Sequence, residues 1–434
     1  MISIEAFAAR RARLATRMGA GVAIIPTALE CVRNRDSHYP YRFDSYFYYL
    51  SGFPEPEALL VLIAGAEPRS ILFCRAKNEE REIWEGFRYG PDAAREAFAI
   101  DECFNIDTLD EQMPKLLSNQ AKLYFTLGAD AGWDARVTGW LNAVRAQARA
   151  GVRAPSELMD LRLLIDELRL YKDAEELTTM RRAAEISTSA HRRAMRFVRP
   201  GLREFEVEAE ILHEFLRHGA QAPAYSSIVA SGANACVLHY VSNRAVLQES
   251  DLLLIDAGCE LDGYAADITR TFPVNGRFTG ARKDIYELVL ASQARAIEAV
   301  HPGNEFIDPH DAAVRVLAQG MIDLGLLKGS LDGIVESGAY KRFYMHRTGH
   351  WLGLDVHDAG EYGAEGHWTK LAPGMVLTVE PGLYVRPAED VPQVFWNIGV
   401  RIEDDALVTE AGCEILTSAA PKSVVEIEAV IAAS

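Results

Sequence analysis

Five residues have the types needed for joint chemistry: Asp256, Asp267, His350, Glu380 and Glu403. They are widely separated along the chain, and each sits in strand-like or turn-like sequence. Four carboxylates brought into one low-dielectric pocket would repel one another strongly, so such a set is tolerated around cations. Four negative charges balance two divalent ions. An oxygen-rich set with a single imidazole suits a manganese-like hard ion better than a structural zinc. Two neighbouring ions sharing a hydroxide are suited to hydrolysis.

Asp256 and Asp267 lie in LLLIDAGCELDGYAADITRTF, which begins at Leu252. Two β-rich runs flank Asp262-Gly263, a strong hairpin signal. A turn there places Asp256 opposite a position within about two residues of Asp267, so both carboxylates can share one sheet face. The alternative is a pair of polar strand residues facing solvent, although Asp is depleted in strands and both have apolar or small neighbours.

His350 belongs to MHRTGHWLGLDVHDAG, where His346, His350 and His357 fall close together among small residues. A lone histidine is more often an ordinary core or surface residue. A cluster of neutral imidazoles can ligate a metal, donate to a developing oxyanion or shuttle protons. Glu380 ends the run GMVLTVEPGLY, where Pro381-Gly382 breaks the strand and leaves the acid at a sheet edge or turn. Glu403 lies in NIGVRIEDDALVT, read as a strand entering an acidic turn. Taken singly it reads as an exposed acid. Arg401, two residues earlier on the same face, can hold a neighbouring carboxylate bidentately.

The elements that must position these groups are legible in outline. Residues 1–172 alternate helical stretches with GVAIIP, ALLVLIAG, SILFCRA and KLYFTLG, which predicts an α/β domain with a mixed sheet. From Asp173 to Val198, Ala183, Ile186, Ala190, Ala194 and Phe197 recur at helical steps, and Pro200-Gly201 stops the helix. A second helix is expected near Glu204 to His218. After Ala222, short strands with Gly-rich turns alternate with helices near 281–300 and 308–326. That predicts an α+β domain at 173–434, with a sheet covered on one side.

The 434 residues are 49% hydrophobic, enough for a large core and more than one domain. A formal net charge of −17 without basic runs argues against nucleic-acid or anionic-membrane partners. The six cysteines are widely spaced and form no CxxC pair, so they read as thiols, not a disulfide framework. The N-terminus shows no secretory signal, and no apolar run is long enough to span a bilayer. A cytoplasmic enzyme is the default expectation.

Taken together, the segments resemble the pita-bread metallopeptidases, most closely the manganese-dependent Xaa-Pro aminopeptidases (aminopeptidase P). The resemblance rests on SGANACVLHY, IDAGCE to TRTFPVNG, HWLGLDVHD, LTVEPGLY and GVRIEDD in the second half. In the first half it rests on RNRDSHYPYRFDSYFYYLSGFPEPEALL and on IWEGFRYGPDAA. Separated motifs in the right order are far more specific than one pattern. The resemblance implies a pita-bread catalytic domain behind an α/β N-terminal domain. It also implies two divalent ions, most simply Mn2+, with Co2+ or Zn2+ able to occupy the same ligands.

By that resemblance Asp256 chelates one ion through both oxygens, Asp267 and Glu403 bridge, and His350 and Glu380 complete the set of ligands on the second ion. Glu380 also resembles the proton-shuttling acid. His239, His346 and His357 match the family's outer histidines, which position the substrate carbonyl and stabilise the tetrahedral intermediate. Tyr384 and Arg401 look like partners orienting the ligands. The loop EYGAEGHWTKLAPG departs from the family's arginine-bearing version, with His367 near the expected place. Trp84, in IWEGFR, reads either as part of a lid or rim across a subunit contact or as a packing tryptophan.

The implied reaction removes the first residue from peptides with proline second, and the implied state is a homo-oligomer. A prolidase restricted to Xaa-Pro dipeptides shares the fold and metals. Methionine aminopeptidases share only the catalytic half, and creatinase-like amidinohydrolases resemble the metal positions less. Non-catalytic peptide-binding pita-bread modules typically lose metal ligands, whereas all five stand here.

Overall fold

The structure, a computed structural model, describes residues 2–433. The chain divides into two compact units, Met1–Arg169 and Leu170–Ser434.

The first unit is built on a six-stranded mixed sheet. Its centre is antiparallel: Gly21–Pro26 pairs with Leu59–Ala64, which pairs with Arg69–Cys74. Glu102–Asn105 adds in parallel beyond Arg69–Cys74. On the other side Lys122–Tyr124 and then Glu157–Met159 add in parallel. The strand LLVLIA is buried along its whole length, as expected of a near-continuous apolar run covered on both faces. Val22, Ile24, Val61 and Phe73 share one core with Leu109, Met113 and Trp140 from the covering helices. The mixed α/β reading of this half is correct.

In the second unit the long helix runs Ala174–Phe197, one residue inside the expected span at each end. Asp173 caps it, accepting from the amides of Glu175 and Glu176, and the Glu176 carboxylate accepts from the Asp173 amide in return. The other helices are Glu204–Arg217, Gly280–Ala299 and Asp308–Asp323.

The strands here form several small sheets instead of the single covered sheet expected. Ile228–Ser231, Leu252–Asp256 and Thr269–Pro273 make one antiparallel set. Val376–Val379, Asp404–Thr409 and Gly412–Ile415 make another, and Gly382–Val385 pairs with Ile398–Arg401. The hairpin does turn at Asp262-Gly263, with φ of 49° and 83°, the two positive values of a type I′ turn. Its arms separate at Gly258, where a Cβ would lie 1.7 Å from the Ala266 carbonyl oxygen. Only glycine allows that crossing, and the long helix anchors the break. Ser187 Oγ accepts from the Cys259 amide at 3.0 Å, and His191 Nε2 lies 2.9 Å from the Ala257 carbonyl oxygen.

Candidate metal centre

Asp256 ends its strand opposite Thr269, two residues past Asp267, as the hairpin spacing predicts. The phenol oxygen of Tyr225 lies 2.6 Å from Asp256 Oδ1 and 2.5 Å from Asp267 Oδ1, so its hydroxyl donates to one or the other. Two carboxylates from different elements thus converge on one small volume. Both are buried, which removes the solvent-facing alternative.

His350 is held by the strand Val376–Val379. Its amide donates to Thr378 Oγ1 at 3.1 Å, and the Thr378 amide donates back to its carbonyl at 2.9 Å. His350 Nδ1 lies 2.9 Å from the Trp351 carbonyl oxygen, which can only accept, so that nitrogen carries hydrogen. Nε2 is left facing Asp267 Oδ2 at 3.4 Å and Glu380 Oε1 at 3.8 Å. Glu380 follows the strand directly, its amide donating to the Thr348 carbonyl at 2.7 Å. Glu403 sits between Ile398–Arg401 and Asp404–Thr409, its Oε2 accepting from Thr269 Oγ1 at 2.6 Å.

Glu403 is 2% exposed, and Asp404 and Asp405 are also buried. The acidic turn expected there is instead a strand start inside the protein. A distant cation makes this tolerable. Arg270 donates from Nη2 to Asp404 Oδ1 at 2.6 Å, Lys422 Nζ lies 2.6 Å from Asp404 Oδ2, and Gln293 and Thr417 donate to the same carboxylate. Burial works against the Asp404 charge, but Arg270 and Lys422 outweigh it and hold the acid below its ordinary range. Asp405 pairs with no lysine or arginine among the described residues. Burial, with Asp267 nearby, pushes its carboxyl far up, and it accepts from the Asp267 amide at 3.2 Å.

Arg401 holds a carboxylate, but the partner is Asp256, not Glu403: Nη2 lies 2.5 Å from Asp256 Oδ2. Its other nitrogens donate to Thr269 Oγ1 and the Tyr384 hydroxyl. Tyr384 in turn lies 2.8 Å from His346 Nε2, while His346 Nδ1 lies 2.7 Å from the Arg347 carbonyl oxygen. Both ring nitrogens of His346 are therefore engaged by the protein. Burial, reinforced by Arg401, lowers its pKa to about 3. The His357 ring meets His350 edge-on, centroids 4.3 Å apart. His239 and His357 make no side-chain hydrogen bond among the described residues. Trp84 is 82% exposed on the helix Glu79–Glu85 of the first unit, so within a single chain it is no packing tryptophan. His367 is exposed on a short hairpin strand.

A cavity of about 1090 Å³ is lined by Asp256, Asp267, His350, Glu380 and Glu403 together with His239, His346, His357 and Arg401. One ligand atom from each of Asp267, His350 and Glu403 lies within 4.8 Å of the others. The donor set fits a cation pair. Burial, compounded by the other acids, raises Glu403 far above its usual range and lifts Glu380 to about 7. Burial also raises Asp256, with Arg401 opposing and Asp267 adding. For His350, burial disfavours charge, but its hydrogen bond to Asp267 and the Glu380 charge carry it up to about 9. Four converging acids are thus short of positive charge, a deficit divalent ions relieve.

Sequence reasoning missed Tyr225, Thr269, Arg270 and Asp405. Tyr225 lies in APAYSS, which carries no local signal. Arg270 had one: a lone basic residue inside the otherwise buried strand Thr269–Pro273 needs an internal acid.

Residues 178–410 match metallopeptidase family M24, and residues 7–124 match the aminopeptidase P N-terminal domain. The chain is 45% identical over 436 residues to a protein of Escherichia coli (strain K12) named Xaa-Pro aminopeptidase, covering 100% of this chain and 99% of that one. The structure of Pseudomonas aeruginosa aminopeptidase PepP matches with TM-score 0.98 at 49% identity, covering 100% of this chain and 98% of that one. Zn-substituted E. coli aminopeptidase P in complex with product matches with TM-score 0.97 at 45% identity, covering 100% and 99%. Family match, full-length identity and the convergence of the predicted acids agree: the chain belongs to metallopeptidase family M24, with an aminopeptidase P N-terminal domain in front of its pita-bread catalytic domain.

Proposed function

We propose that this chain is a dinuclear-metal aminopeptidase that releases the first residue from peptides with proline in second position. The carrying observation is the cavity in which four acids and one imidazole converge, in a chain whose full-length relatives include one named Xaa-Pro aminopeptidase. Asp256, Asp267, His350, Glu380 and Glu403 would hold the two ions, with manganese favoured by the oxygen-rich donors. When bound, the ions supply Lewis acidity toward the carbonyl and acidify water.

The protein's own groups do the rest. The X–Pro bond is a tertiary amide without an N–H, so the site must recognise ring shape and the free amino terminus. Glu380, which lines the cavity beside His350, is placed to collect a proton and return it to the proline nitrogen as it leaves. His239 and His357 line the cavity with no side-chain hydrogen bond among the described residues and are placed to support the substrate carbonyl. His346 acts through Tyr384 and Arg401, orienting Asp256. The catalytic part is assigned to 173–434 and the N-terminal part to 1–172. The compact units Met1–Arg169 and Leu170–Ser434 support that division.

Six free thiols, three of them buried, support a reducing compartment, the cytoplasm. Ile83, Trp84 and Phe87 are strongly exposed on or just after one helix, which supports a homo-oligomer with Trp84 at a neighbouring site's rim.

A peptide panel with manganese added tests the reading. Ala-Pro-Ala should be cleaved to alanine and Pro-Ala, while Ala-Ala-Ala and the dipeptide Ala-Pro should be poor substrates. Preference for Ala-Pro would make the protein a prolidase. Purified protein that binds peptides but retains no metal and cleaves none would make it a binding module.

A further inference from the structure

One cation lining the cavity takes no part in the metal chemistry. Arg347 lines the cavity immediately after His346 and is exposed. Its guanidinium carbon lies 5.1 Å from the centre of the Trp368 ring. Among the described residues its side chain makes no ion pair within 4.0 Å and no hydrogen bond. Asp311 feels its charge without reaching pairing distance. Arg401, which also lines the cavity, is committed to Asp256, and Arg270 and Lys422 to Asp404.

The aromatic seat under Arg347 is fixed. Gly363 pairs with Trp368 in a short hairpin, the Phe306 amide donates to the Thr369 carbonyl at 2.8 Å, and the Thr369 amide donates to the Tyr362 carbonyl at 3.0 Å. Phe306 and Tyr362 line the same cavity. A guanidinium lying over an indole face loses little solvation there and keeps its N–H edge for a planar anion. The cavity thus carries, beside its cluster of acids, an arginine with no acid partner among the described residues. A peptide's ammonium group is repelled by that arginine. The group that fits Arg347 is a carboxylate, and it must lie on the other portion of the peptide.

We propose that Arg347, seated on Trp368, is a specificity subsite that reads a carboxylate on the leaving portion of the substrate, beyond the proline. That carboxylate is either the free C-terminus of a short peptide or an acidic side chain. The assignment rests on the aminopeptidase reading above and adds a preference to it.

The test uses the manganese-loaded enzyme with Ala-Pro-Ala, Ala-Pro-Ala-amide and Ala-Pro-Glu-amide. The free acid should show a KM roughly tenfold below that of the amide with similar kcat, because the contact binds ground and transition states alike. Arg347→Met keeps the aliphatic stem over the indole and should abolish the difference, while Arg347→Lys should retain part of it. A low KM for Ala-Pro-Glu-amide would identify side chains as a second source of the carboxylate, and a high one would restrict it to the C-terminus. Equal KM values for acid and amide, or a preference surviving Arg347→Met, would overturn the subsite. Absence of turnover on all three peptides would instead overturn the aminopeptidase reading beneath it.

Discussion

Arg270 and Asp404 form a fully buried ion pair, Nη2 to Oδ1 2.6 Å, one residue beyond Glu403. The same guanidinium donates from Nη1 to the Glu403 carbonyl at 2.5 Å and reaches the carbonyls of Ala420 and Pro421. One side chain therefore neutralises the acid behind the site and fixes the backbone that carries Glu403. Arg270→Met leaves Asp404 with Lys422 as its only cation among the described residues, and breaking a buried pair from one side costs about 3–5 kcal/mol. The loss should show in denaturant unfolding of the metal-stripped protein, before any effect on catalysis is considered. Unfolding midpoints that match the parent would exclude this role.

Removing an acid at the convergence point should act on metal and turnover together. Asp267→Ala or Glu403→Ala should yield folded protein with depleted metal after dialysis and no cleavage of Ala-Pro-Ala. The fully active protein without bound metal would rule out the dinuclear assignment.

His239 should separate from the ligands in the opposite way. His239→Ala should keep its metal content while kcat falls about 10²- to 10³-fold, the usual loss when one oxyanion donor is removed. An unchanged kcat would remove His239 from the reaction.

His191 predicts a stability change in mild acid. It is fully buried and Nε2 lies 2.9 Å from the Ala257 carbonyl, while Nδ1 has no partner among the described residues. Burial lowers its pKa from 6.5 to about 4. Between those values the unfolded chain takes up a proton that the folded chain refuses, so stability falls as pH falls through that window. The full shift corresponds to about 3 kcal/mol. Thermal unfolding followed from pH 7 to pH 4.5 should show a steeper loss in the parent than in His191→Gln. Parallel pH profiles would show that His191 is not the group responsible.

The sequence by itself determined the local elements and nominated the acids and the histidine that the fold brings into one cavity. Period-3.6 spacing located the helix Ala174–Phe197 within one residue at each end, and the Asp262-Gly263 turn set the register that brings Asp256 near Asp267. Those signals are local, because backbone geometry imposes them on neighbours in the chain. Tertiary structure alone decided which charges are buried and what compensates them. Asp404 reads as part of a solvated turn until Arg270, 134 residues away, is placed against it. Arg401 had carboxylates on two sides, and only the fold shows that it grips Asp256. Tyr225 carried no motif, yet its hydroxyl meets both aspartates. Periodicity reports which face of an element is apolar. The cost of a buried charge depends on groups supplied by other elements, and their approach is settled only when the chain has folded.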